Sequence, residues 1–342
     1  MKAVIFRRHG GPEVLEAADV PDPPVEPGSI LVRVRACALN HLDLWLRQGL
    51  PAYRLTLPHI SGCDVSGVVE RVGQGVARVK PGDRVVLAPG ISCGRCEACR
   101  AGRDGLCAAF GIRGAAVPGG YAELTAARAE DAIPIPERLS FEEAAAFPLV
   151  FLTAWHMLVG RAKLQAGESV LIHAAGSGVG HAAVQIAKHR QATVYATVGS
   201  AEKVPKAKAL GADEVIDYRR DDFEARVNTL TDGRGVDVVF DHIGPDTWER
   251  SLRLLAKGGR LVTCGSTSGP TVMLDLRYVF SRQLSVLGSM MGTRAELDEV
   301  ARLVMDGTLR PAVDTVLPLR EARQAQERME ARKVFGKLVL VP

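Results

Sequence analysis

The 342-residue chain contains no apolar run of the ~18 residues that a membrane-spanning helix needs. Its opening stretch, MKAVIFRRHGG, holds one short apolar run. That run is too brief for a secretory leader and lacks a small-residue cleavage pattern. Aromatic residues are few, at 5%. Excess charge of either sign is also missing, since 43 basic and 39 acidic residues leave a net charge of +4. The basic residues are spread along the chain, and this argues against a nucleic-acid partner. Lysine is scarce beside arginine. Seven cysteines are present, four of them clustered. That pattern fits a metal site in a reducing compartment, not a disulfide framework, so a cytoplasmic protein is expected.

What is present suffices for folding. Hydrophobic residues make up 47% and charged residues 24%, which excludes disorder by low hydrophobicity, and the length suggests roughly two domains. Up to about residue 125 the pattern is β-rich. Apolar alternation at 2–6, 30–36 and 67–72 is broken by Pro and Gly clusters at 21–28 and 79–83. A helical spacing of Leu42, Trp45 and Leu46 is ended by Gly49.

From Ser140 the texture changes. Ser140 and Glu143 form a capping box that opens an apolar helix expected to reach Phe147. Strands are then expected at 169–173, 193–198, 214–216, 236–241, 260–264 and 284–287. Helices are expected at 180–189, 201–210, 223–231, 248–255 and 295–306. This alternation predicts a doubly wound parallel sheet covered on both faces. The tail from 310 to 342 returns to short strand-like pieces, including Lys337–Val341.

The first of these strands runs into Ala174-Ala-Gly-Ser-Gly-Val-Gly180 and a helix. Such a turn brings backbone N–H groups and a helix N-terminus to a pyrophosphate. The strict G-x-G-x-x-G spacing is not met, because the three fingerprint positions hold Ala175, Ser177 and Gly180. With Gly178 and Val179 these form the expected dinucleotide loop. An acidic residue at the end of the second strand would bond the ribose of NAD, but Val198 stands there. Ser200 and Lys203 follow and would suit a 2′-phosphate, so NADP(H) is favoured over NAD(H).

Cys93, Cys96 and Cys99 are followed by Cys107 after seven residues. Four thiolates on a short Gly-rich loop can close a tetrahedral shell around Zn²⁺, leaving no open coordination position. A structural zinc is therefore expected. The iron–sulfur run differs, with its fourth cysteine after three residues and then Pro. A nucleic-acid-binding zinc finger is disfavoured, because the loop lacks a basic helix and an aromatic platform, and Glu97 and Asp104 dilute its charge.

Taken with Gly62-Cys-Asp-Val-Ser-Gly67, Pro81-Gly-Asp-Arg-Val85, Gly119-Gly-Tyr-Ala-Glu123 and Leu210-Gly-Ala-Asp213, these motifs give a chain that resembles the medium-chain dehydrogenase/reductase superfamily over essentially its whole length. That superfamily includes zinc-type alcohol dehydrogenases and quinone oxidoreductases. The resemblance implies a β-rich GroES-like catalytic domain, 1–150 plus 291–342, with a zinc lobe at about 90–110. Into it a Rossmann domain, 151–290, is inserted. It also implies a homodimer or homotetramer, commonly formed through edge strands of the Rossmann sheets.

The family's alcohol dehydrogenases hold a catalytic zinc by a Cys, by the His of Gly-His-Glu, and by a later Cys or Asp. Here those positions resemble Asn40, Cys63 of Gly62-Cys-Asp64, and Leu149. The chain thus reads as a hybrid that keeps the structural zinc and lacks a standard catalytic one. Without a Lewis acid, hydride transfer to a carbonyl needs hydrogen-bond donors or a proton relay for the developing oxyanion. Asn40, His41, Asp43, Cys63 and Asp64 are the candidates, with Tyr53 nearby: Asn40 as an amide donor, His41 as a relay, Asp43 as the residue that orients His41. The expected substrate is a small carbonyl, alcohol or quinone, with activated acceptors preferred because conjugation spreads the charge. Two alternatives stay open: an atypical metal site of His41, Cys63 and Asp64, and a nucleotide-binding relative without catalysis.

Overall fold

The computed structural model describes residues 1–51 and 53–342. They divide into two units, Met1–Leu149 with Thr293–Pro342, and Val150–Gly292.

In the first unit the long strand Ser29–Ala38 is the organising element. Its alternating Val and Ile residues build one face of the core with Val65, Val69, Val85, Leu87, Leu338 and Leu340. The seven-stranded sheet runs Val313–Pro318, Lys337–Val341, Ser29–Ala38, Asp64–Val72, Arg84–Leu87, Ala132–Pro134, with Leu124–Arg128 also paired to Ser29–Ala38. Two registers position the chemistry. Ala38 lies opposite Asp64, and Val339 lies opposite Ala38 in an antiparallel pair. Two steps beyond that pair, Lys337 comes level with Asn40.

The helix His41–Gln48 starts directly after Asn40 and stops at Gly49, which adopts φ 86°. Only glycine takes that left-handed cap without steric cost. The Ser140–Glu143 capping box forms as expected, but its helix covers only Phe141–Ala145, and a second helix, Pro148–Trp155, follows. Pro148 explains the interruption: it lacks an N–H, and its ring disfavours helical backbone at Phe147.

The tail keeps the expected strand at Lys337–Val341, with a second strand at Val313–Pro318, and adds an element that was not expected. That element is the helix Ala322–Glu330, which buries Ala322, Ala325 and Gln326. Its inward stripe is small and partly polar, so hydrophobic periodicity does not reveal it.

The second unit is a six-stranded parallel sheet in the order Glu214–Asp217, Thr193–Val198, Ser169–Ile172, Val236–Asp241, Leu255–Thr263, Ser285–Gly288. The first strand in sequence therefore sits between the second and the fourth, the point where a doubly wound sheet reverses direction. Val170, Val194, Val238 and Val239 are fully buried, as strands covered on both faces require.

Two boundaries differ from expectation by more than two residues. The helix expected at 248–255 spans Pro245–Arg253, because Pro245 fits the first helical turn. Leu255 instead pairs with Val236 at the head of a strand that runs to Thr263. A single π-helical segment, His156–Arg161, and the helix Leu276–Arg282 were not foreseen.

Candidate active site and metal centre

The dinucleotide loop has the features a diphosphate cradle needs. Ser177 caps the helix Gly178–His189, its hydroxyl accepting the Gly180 N–H at 2.9 Å. The same hydroxyl meets His242 Nε2 at 3.1 Å. Ala174 is held at φ 48°, and the Ala175 N–H donates to Thr197 O at 2.9 Å. Any Cβ on Gly180 would stand 2.2 Å from Ala174 O, so the helix can approach the strand this closely only through glycine. Ala175 is buried, while Ser177, Gly178 and Val179 are partly exposed at the turn. The loop therefore fits a pyrophosphate at a helix N-terminus. His242 and Thr197 support it and were not anticipated, since neither belongs to a local motif.

At the end of the second strand Val198 is buried, so no acidic side chain stands there. Ser200 Oγ lies 3.4 Å from Glu202 Oε1, and Lys203 begins the helix Lys203–Ala209. A Cβ on Gly199 would come 2.4 Å from the Tyr218 hydroxyl. Tyr218, 42% exposed, therefore joins this corner from the neighbouring strand's end.

In the first unit Asn40, Cys63 and Asp64 converge. Asn40 Nδ2 donates to Asp64 Oδ2 at 2.8 Å and faces Cys63 Sγ at 3.1 Å. Asn40 Oδ1 accepts from Lys337 Nζ at 2.6 Å, and Asp64 Oδ2 accepts from the same ammonium at 3.2 Å. Asp64 Oδ1 accepts the Leu149 N–H at 2.9 Å. All four side chains are buried. Burial, then the neighbouring carboxylates Asp64 and Asp43, pushes the Cys63 thiol well up. Asn40 thus directs its amide hydrogens into the cluster.

Lys337 escaped sequence reading because it heads an apolar strand 297 residues away from Asn40. The only local signal was a lone lysine before Leu-Val-Leu-Val.

Asp43 does not orient His41, contrary to expectation. One oxygen accepts the Asn40 N–H at 2.8 Å and the Tyr121 hydroxyl at 3.2 Å, and the other accepts the Gly62 N–H at 3.0 Å. The reason is helical geometry: residues two apart point to opposite faces. Burial, partly offset by these donors and by Lys337, pushes the Asp43 carboxyl up to about 6.

His41 is exposed, with its ring 6.1 Å from that of Trp45. Loss of hydration among its surroundings, then the charges of Lys337 and Arg332, lowers its pKa from the ordinary value. His41, Cys63 and Asp64 do not form a ligand set: among the described residues, the group of three or more potential metal ligands is Cys93, Cys96, Cys99 and Cys107.

Those four sulfurs lie within 4.8 Å of one another. Cys96 and Cys99 are 3.4 Å apart, and Cys93 and Cys99 are 3.9 Å apart. A tetrahedron with Zn–S of about 2.3 Å has edges of roughly 3.8 Å, so the donor set fits Zn²⁺. Backbone N–H groups of Arg95 and Cys96 bring the Cys93 thiol down to about 6, whereas loss of hydration and the neighbouring sulfurs raise that of Cys99 to about 11. Asp104, between the third and fourth cysteines, accepts the Arg294 N–H with both oxygens at 3.1 Å. This joins the lobe to the first turn of the helix Arg294–Met305.

Comparison with known proteins gives the family. Residues 26–137 match the alcohol dehydrogenase GroES-like domain, and residues 178–306 match the zinc-binding dehydrogenase family. A quinone oxidoreductase of Pseudomonas aeruginosa is 37% identical over 100% of this chain and 99% of its own. A solved NAD-dependent alcohol dehydrogenase is 48% identical, with a TM-score of 0.96 and full coverage of both chains. A crotonyl-CoA carboxylase/reductase in complex with NADP is 27% identical, with a TM-score of 0.92 over 100% of this chain and 94% of its own. A parallel sheet with a diphosphate loop, a GroES-like unit and full-length similarity to these relatives carry one conclusion: the chain belongs to the medium-chain dehydrogenase/reductase superfamily and is a nicotinamide-dependent oxidoreductase.

Proposed function

We propose that the protein reduces small activated carbonyl compounds, such as quinones and enones, using NADP(H) in preference to NAD(H). On this reading the cysteine lobe holds a structural zinc, and the Asn40 cluster works without metal. The observation that carries it is the closure of that cluster. The oxygens of Asn40 and Asp64 already accept N–H donors, and Leu149 offers no side-chain ligand.

Bound nicotinamide supplies the hydride. His41, exposed and with its pKa lowered, suits the proton relay. An activated acceptor needs less oxyanion stabilisation than an unconjugated ketone, which matches a site whose amide hydrogens face inward.

Preference for NADP(H) is supported by the apolar Val198 and by Ser200, Lys203 and the Tyr218 hydroxyl around Gly199, which together suit a phosphate. A second reading, NAD-dependent alcohol oxidation, is favoured by the 48% identical neighbour and by Glu202 beside Ser200.

Self-association is supported by the last strand of the parallel sheet, Ser285–Gly288, an edge that leaves Val286 exposed. Leu276 and Phe280, 66% and 71% exposed, add apolar surface in the preceding helix. Among the described residues no helix is long and apolar enough to cross a membrane. The cysteine ligand set suits a reducing compartment such as the cytoplasm.

The experiment is a zinc count combined with NADPH and NADH turnover on quinones, enones, aldehydes and alcohols. One zinc per chain with NADPH-dependent reduction of quinones or enones is expected. Two zincs with NAD-dependent alcohol oxidation would replace this reading by the second.

A further inference from the structure

A buried nitrogen stands beside Asn40, Cys63 and Asp64, two of which hold positions where the family resemblance implies metal ligands. Lys337 Nζ is 2.6 Å from Asn40 Oδ1 and 3.2 Å from Asp64 Oδ2. Its side chain is 2% exposed and that of Asp64 is 0% exposed. The second Asp64 oxygen is held by the Leu149 N–H. Cys63 Sγ, also buried, lies 3.1 Å from the Asn40 amide nitrogen. Two oxygens thus accept from an internal ammonium, and a sulfur stands beside the Asn40 amide that joins them. Oxygen and sulfur donors of this kind suit a borderline divalent ion such as Zn²⁺ or Co²⁺. An ion entering here would meet a fixed positive charge within a few ångströms, in surroundings where water screens poorly, and would have to displace N–H donors from each oxygen it used. A catalytic metal therefore does not fit the site as it stands.

We propose that Lys337 is the built-in cation of this site, and that its ammonium shuts the Asn40–Cys63–Asp64 cluster to divalent metal ions. The absence of a second metal is then decided by charge exclusion as well as by the loss of family ligands. Removing the charge opens a latent site whose donors are Cys63 Sγ, Asp64 Oδ2 and Asn40 Oδ1. This inference rests on the metal-free reading of the cluster and says nothing about the substrate.

The test uses the full chain with its cysteine lobe loaded with zinc. It is equilibrated with excess Co²⁺, desalted and analysed for metal, while the thiolate-to-cobalt charge-transfer band is followed. Wild type is expected to keep one ion per chain and to show no Cys63-dependent band. Lys337→Met, similar in length and uncharged, is expected to take a second ion at least 100-fold more tightly than wild type. The band it develops should vanish in Lys337→Met combined with Cys63→Ser. Should Lys337→Met fail to fold, Lys337→Gln, which keeps a donor for Asn40 Oδ1, takes its place. A folded charge-removed variant that refuses cobalt overturns the exclusion while leaving the metal-free reading intact. A wild-type protein that takes a second ion, lost on Cys63→Ser, overturns both, and that measurement needs no Lys337 variant.

Discussion

Tyr121 donates its hydroxyl to Asp43 across 3.2 Å, joining residues 78 apart in sequence. The bond ties the first turn of the helix His41–Gln48 to the segment that crosses beneath Gly62. At Gly62 φ is 102°, and a Cβ would stand 2.6 Å from both Cys37 Sγ and Tyr121 Cδ1. Asp43 is thus a buried fastening, and Tyr121→Phe is expected to lower unfolding free energy by about 1–3 kcal/mol, measured by urea titration.

The same carboxyl makes stability depend on pH. Asp43 is pushed up to about 6 from an ordinary 3.8. The folded state therefore binds its proton more tightly than the unfolded state does. Its contribution falls as pH rises between those two values and is flat above them. The stability of wild type relative to Asp43→Asn should drop by on the order of 2–3 kcal/mol from pH 4 to pH 7. A difference that rises with pH would contradict this assignment.

Cys96→Ala should remove zinc from the lobe and lower the melting temperature by several degrees, with nicotinamide nucleotide affinity little changed. Asp104→Ala should show a weaker effect, about 0.5–1 kcal/mol, through loss of its bond at the N-terminus of the helix Arg294–Met305. Metal analysis and calorimetry check both. A Cys96→Ala protein that melts like the parent would remove the structural-zinc assignment.

Gly180→Ala places a methyl group 2.2 Å from Ala174 O, and neither backbone segment can yield without moving the loop. Nucleotide affinity is expected to fall at least tenfold, read by fluorescence titration, together with a loss of stability. At the other end of the cofactor corner, Val198→Asp should shift the NADPH/NADH ratio of kcat/KM toward NADH, and Lys203→Ala should do so more weakly.

His41→Gln should lower kcat for carbonyl reduction by roughly 10- to 100-fold, while the dissociation constant for the nucleotide stays the same. Equal losses in both would recast His41 as a cofactor contact.

Much of the fold could be read from local pattern. The strands Thr193–Val198 and Val236–Asp241 follow from apolar runs bounded by polar or glycine residues, and the capping box at Ser140 and Glu143 from its own spacing. The helices Ala322–Glu330 and Leu276–Arg282 could not be read, because one buries alanine and glutamine and the other buries none of its residues. In the candidate site the four cysteines and the loop ending at Gly180 were legible, since their chemistry is set by neighbours in sequence. The partners of Asp43 were not, because its bonds reach Gly62 and Tyr121 through the sheet.

Sequence alone determined the four-thiol lobe, the glycine-rich turn after Ser169–Ile172 and the replacement of the expected thiolate or carboxylate ligands by an amide at residue 40 and an alkyl side chain at residue 149. Each is a matter of residue identity at short spacing. Only the tertiary structure decided what replaces the missing ligands. Pairing of Lys337–Val341 with Ser29–Ala38 carries a lysine from the tail to the side of Asn40, and burial there obliges it to bond with Asn40 and Asp64. A charge taken out of water needs compensating partners at hydrogen-bond distance, and strand register between distant segments determines which partners it meets.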